Sequence, residues 1–96
     1  MSYKTVFANK KVMKSLEELS DSLRDAFYLL MREIQESGPV RGNWPNYGKL
    51  GNKLVHHCHL KKGKPTYVAI WKKTDKDTVA FLYIGTHENA DYDKYK

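Results

Sequence analysis

Three of the four histidines in this chain, His56, His57 and His59, fall within four positions. They sit in a stretch, Lys53 to Leu60, whose alternation predicts a β-strand. Side chains on a strand alternate, so His57 and His59 share one face, about 6.5–7 Å apart along it. Leu54, His56, Cys58 and Leu60 point the other way. That second set is the more apolar, so it is assigned to the core, and His56 is read as a packed histidine. Val55, His57, His59 and Lys61 then occupy an open face. With a reference pKa of about 6.5, histidine acts as acid or base near neutrality. The fourth histidine, His87, lies in the run Gly85 to Tyr92 that follows the last predicted strand. A turn there brings His87 and Tyr92 back toward the His57 and His59 face. Such a set supplies what RNA cleavage requires without a metal. The parts are a base for the 2′-hydroxyl, an acid for the departing 5′-oxygen and cations for the phosphorane charge. A His-x-His pair with a third histidine is also a metal-site pattern. Glu88 and Asp91 are the acidic ligands near in sequence, and the surrounding positive charge opposes a divalent cation. Neither a metal nor another cofactor is expected.

That charge is concentrated. The chain carries 17 Lys+Arg against 11 Asp+Glu, a formal +6. Ser37 to Thr74 contains no Asp or Glu but holds Arg41, Lys49, Lys53, Lys61, Lys62, Lys64, Lys72 and Lys73. A one-sign segment of this kind is a footprint for a polyanion, the sources of attraction being nucleic acid, an acidic protein partner or both. Lys49, Lys53, Lys61, Lys62, Lys64 and Lys72 are the candidate contacts to RNA phosphates. At 96 residues the chain is expected to form one domain, 1–96. Its single cysteine, Cys58, excludes an intramolecular disulfide and a paired-cysteine zinc site. No apolar run approaches the roughly 18 residues of a membrane span, and MSYKTVFANKK lacks the apolar stretch of a signal peptide. A reduced, cytoplasmic protein is expected, with no membrane partner.

The elements that position these residues follow from punctuation and period. Tyr3 to Phe7 predicts a short strand. Asn9 is a helix N-cap, followed by Val12, Leu16 and Leu19 at helical spacing. Ser20 and Asp21 mark a second start, and Leu23, Phe27, Leu30 and Ile34 form one apolar face, closed by Gly38 and Pro39. Val40 to Gly51 reads as a loop pinned by Trp44 and Tyr47. Lys53 to Leu60, Thr66 to Lys73 and Thr78 to Ile84 read as strands. Lys62-Gly63-Lys64-Pro65 and Asp75-Lys76-Asp77 are short enough to make them adjacent and antiparallel. The order strand, helix, helix, three strands predicts an α+β domain with a helical hairpin on one face of a mainly antiparallel sheet.

That plan, the run GPVRGNWPNYGKLGNKLVHHCHLKKGKPTYVAIW and the ending YIGTHENADY resemble the RelE/ParE superfamily of toxins from bacterial type II toxin–antitoxin pairs. The likeness extends from Tyr3 to about Tyr92 and is greatest to RelE-type messenger-RNA interferases that use histidine. It implies an endoribonuclease that cleaves mRNA on the ribosome, inhibits translation and is held by a cognate antitoxin. The RelE type places two lysines one residue apart on the second strand, and His57 and His59 occupy those positions. It places a basic residue two positions beyond a glycine after the last strand, here His87. It places an aromatic residue a few positions later, here Tyr92, with the residues beyond it expected to be dispensable. The family's third-strand arginine has no counterpart in Tyr67-Val68-Ala69-Ile70-Trp71-Lys72, where Lys72 or Lys61 would substitute. The alternatives are an inactive relative that only binds, or a ParE-type inhibitor of DNA gyrase. The ParE type needs no histidines on the sheet.

Overall fold

The apolar periods fold as their spacing dictates. In this computed structural model, which describes residues 2–51, 54–61 and 65–95, the chain runs β1 (Lys4–Phe7), α1 (Lys10–Glu17), α2 (Asp21–Ser37), β2 (Gly48–Leu50), β3 (Val55–Lys61), β4 (Tyr67–Asp75), β5 (Thr78–Thr86) and a 3-10 turn (Tyr92–Tyr95). Both helix starts are capped as predicted. Asn9 Oδ1 accepts from the Val12 N–H at 3.1 Å, and Ser20 Oγ accepts from the Leu23 N–H at 3.4 Å. Gly38 ends α2 at φ 96°, where a side chain would be strained and a Cβ would press on the Tyr3 ring at 3.2 Å.

The strands form one five-stranded sheet in the order β1-β5-β4-β3-β2. β2–β3, β3–β4 and β4–β5 pair antiparallel, and β1 joins β5 in parallel. The helices cover one side of it. Val12, Leu16, Leu19, Leu23, Phe27, Leu30 and Ile34 form a single cluster with Cys58, Leu60, Ala69, Trp71, Val79, Phe81 and Ile84. Phe27 and Phe81 meet edge to face at 4.7 Å.

β2 corrects the expectation of an unbroken loop from Val40 to Gly51. Gly48–Leu50 is too short to show a period, and its pairing with β3 defines it. The rest of that segment is pinned by Glu33 on α2. Its Oε1 accepts from Arg41 Nη1 at 3.3 Å, Asn43 Nδ2 at 2.9 Å and Trp44 Nε1 at 2.9 Å. These donors, Asn43 foremost, hold the Glu33 carboxyl below the usual carboxylate range against the opposing effect of burial. Trp44 and Tyr47 pack on the core as expected. The connection Lys62-Gly63-Lys64 lies outside the described residues, as do Lys53 and the start predicted there for the second strand. Among the described residues no helix is long and apolar enough to cross a membrane.

Candidate active site

Sheet register builds the site in rows. Gly48, His57, Ile70 and Tyr83 stand side by side across β2, β3, β4 and β5. The next row runs His59, Val68, Gly85, and on the other side Leu50, Val55, Lys72, Ala80. Opposed residues in antiparallel pairs project to the same side, so these rows share the face away from the helices. His57 and His59 lie there as predicted, and His56 does not. His56 is buried on the helix side, stacked on Trp71 at 5.9 Å and 8°, with its Nδ1 2.7 Å from the Tyr47 hydroxyl. Burial lowers its pKa to about 4, with Lys49 and His57 adding repulsion. Cys58 beside it is sealed in the core, its thiol pushed up to about 12 by burial.

Two expectations about this face are corrected. It is not open: Val55, Val68 and Ile70 are 4%, 0% and 0% exposed, while Leu54, expected in the core, is 52% exposed just before β3 begins. The chain after β5 folds back across it, as expected from the run Gly85 to Tyr92. Lys61 also leaves the row of His57 and His59. The β3–β4 register shifts between His59 and Lys61, and Lys61 comes opposite Tyr67, whose ring packs on the core side. A bulge of this kind breaks alternation. Lys49 likewise pairs with His56, on the helix side of the β2 edge. Lys72 alone of the described lysine candidates belongs to the histidine face. Lys53, Lys62 and Lys64 lie outside the described residues.

The returning chain brings four rings together. Tyr92 stands 5.5 Å from His57, His87 stands 5.5 Å from Tyr92, and His59 stands 5.6 Å from His87, all steeply inclined. His57 has a closed environment. Its Nδ1 is buried without a hydrogen-bond partner, and a Cβ on Gly48 would come 3.0 Å from its Nε2. Burial, then His59 and His87, hold its pKa below the ordinary value. His59 is lowered too, by burial and then by His87, while its backbone N–H donates to the Pro45 carbonyl at 2.8 Å. Burial raises the Tyr92 phenol above its usual range. Two neutral imidazoles and a protonated phenol at pH 7 are the result, beside the exposed His87. Among the described residues no three His, Cys, Asp or Glu side chains converge as a metal site requires.

Two solved structures share this architecture. One is the Escherichia coli toxin RelE in the free state, as a double arginine-to-alanine mutant. It superposes with a TM-score of 0.70 at 18% identity, covering 98% of this chain and 93% of that one. The other belongs to the archaeal RelE–RelB complex of Pyrococcus horikoshii, at a TM-score of 0.68 and 19% identity, covering 94% and 100%. The chain has a RelE-like fold. No family model and no curated protein sequence matches it, so the likeness lies in the backbone, and the RelE-like sheet here carries its own set of side chains. Sequence reasoning passed over Tyr83, at the end of the His57 row. A tyrosine in the β-forming run TVAFLYI carries no signal beyond strand propensity.

Proposed function

We propose that this chain is the toxin of a type II toxin–antitoxin pair, a metal-independent endoribonuclease that cleaves mRNA on the ribosome and is held by a cognate antitoxin. The observation that carries this reading is the convergence of His57, His59, His87 and Tyr92 on one sheet face, from two segments far apart in sequence. His59, its pKa below the ordinary value, is a neutral base at pH 7 and takes the proton of the 2′-hydroxyl. The 2′-oxygen then bonds to phosphorus, and the bond from phosphorus to the 5′-oxygen breaks. His87 returns a proton to that leaving oxygen. His57 stands behind the pair and helps hold the phosphate, Lys72 offers the cation, and Tyr92 offers a stacking surface for a base. The fold shared with the toxin RelE, and with a RelE found in complex with RelB, supports the toxin role and a protein partner.

Regulated expression in a bacterium, with primer extension on a known transcript, tests it. Growth arrest with new 5′ ends at ribosome-occupied codons is expected. His59→Ala or His87→Ala should relieve arrest and lower cleavage by about 10²–10⁴-fold, the range for a lost general acid or base, with the fold intact. Arrest with intact transcripts and broken DNA would point instead to a gyrase inhibitor, and folded alanine variants as toxic as the parent would remove the histidines from catalysis.

A further inference from the structure

The peptide bond joining Thr86 to His87 is engaged at both of its polar atoms. Its N–H donates to the Thr66 carbonyl at 2.8 Å. Its carbonyl accepts from the Tyr83 hydroxyl at 2.9 Å. A peptide unit is planar and stiff, so holding both ends sets the direction in which His87 leaves the sheet. The phenol reaches that carbonyl by lying along its own strand over Gly85. A Cβ at Gly85 would stand 2.6 Å from the Tyr83 Oη and 2.9 Å from its Cζ, so glycine serves here for space. The half-buried Tyr95 ring packs on Tyr83 at 6.4 Å. Burial raises the Tyr83 phenol above its usual range, which keeps the hydroxyl a donor at neutral pH.

We infer that Tyr83 is a positioning residue for His87: its hydroxyl fixes the peptide that aims this histidine at His59 and Tyr92, and Gly85 provides the room for it. The inference rests on the reading of His87 as the acid of RNA cleavage for its functional consequence, and on geometry for the rest. Tyr83 touches no reacting atom and acts through the backbone.

Tyr83→Phe removes one oxygen and keeps the ring. Two measurements on the full chain are informative, namely through-space NMR contacts of the His87 ring and steady-state cleavage of ribosome-bound mRNA. Contacts of His87 with His59 and Tyr92 should weaken, while the contact of His57 with Tyr92 persists. The kcat should fall about tenfold, equivalent to about 1.4 kcal/mol, with KM unchanged. Gly85→Ala, which keeps the hydroxyl but displaces the phenol, should give the same pattern. Unaltered His87 contacts in either folded variant overturn the inference, including the case where only thermal stability falls. If the parent protein cleaves no ribosome-bound mRNA, the catalytic reading of His87 fails, and the ring contacts still decide whether Tyr83 aims it.

Discussion

Neighbouring histidines of the same strand meet opposite fates here because alternation puts them on opposite sides of the sheet. His56 is a stacked core ring, and His57 and His59 line the candidate site. Both fates were legible from residue type and parity alone. The chemistry of His56 has a consequence for stability. In the folded protein it stays neutral down to about pH 4, whereas unfolded it takes a proton near 6.5. Between those values the unfolded chain binds more protons, so stability is complete above about pH 6.5 and falls as pH drops toward 4. His57 and His59, also lowered, act in the same sense. Thermal midpoints measured from pH 7.5 to 4 should decline, and His56→Gln should flatten the decline. A variant that keeps the parent's full slope would show that His56 is not its source.

Elements positioned these residues in ways that period-two counting does not reach. The bulge at the end of β3 turns Lys61 to the side of Tyr67, and a bulge leaves no mark in a run such as HLKKGK. Lys72 sits on β4 opposite Val55, in the row next to His57. Of the two lysines that would replace the family's arginine, Lys72 is the one on the face of His57 and His59, and the proposed function takes it as the cation. Lys72→Ala should therefore lower kcat/KM about tenfold or more, some 1.4 kcal/mol of transition-state stabilisation, and Lys61→Ala should change it less than about threefold. Equal losses would reject the selection. The tail was legible to Tyr92 and not beyond. Tyr92 lies over the face as expected, and Tyr95, among the residues expected to be dispensable, packs on Tyr83. A chain ending at Asp93 should thus unfold at a lower temperature than the parent, and an unchanged midpoint would return those residues to the dispensable class. The contact of Tyr95 with Tyr83 lies beyond the predicted turn, and no local pattern encodes it.

At the scale of the whole molecule, the +6 charge is the one the proposed function assigns to RNA, and the fold redistributes it. Arg41 is neutralised by Glu33, and Lys49 lies on the helix side of the sheet edge. The described residues of the acid-free segment therefore lie around the β2–β4 end of the sheet, with Lys72 as their lysine on the candidate face. Each phosphate contact to a single strand adds about −0.7 to the slope of log affinity against log salt. A band that gripped RNA uniformly would lose the same increment for any of its lysines. The placement here predicts inequality: Lys72→Ala should reduce the slope by about 0.7, the loss of one contact, and Lys49→Ala should leave it within about 0.2. Binding of a short RNA to His59→Ala protein, measured from 50 to 300 mM salt, isolates this electrostatic effect from cleavage. Equal reductions for both lysines would mean that the strand passes over the sheet edge as well as the histidine face, and a parent slope near zero would remove the polyanion reading of the charge.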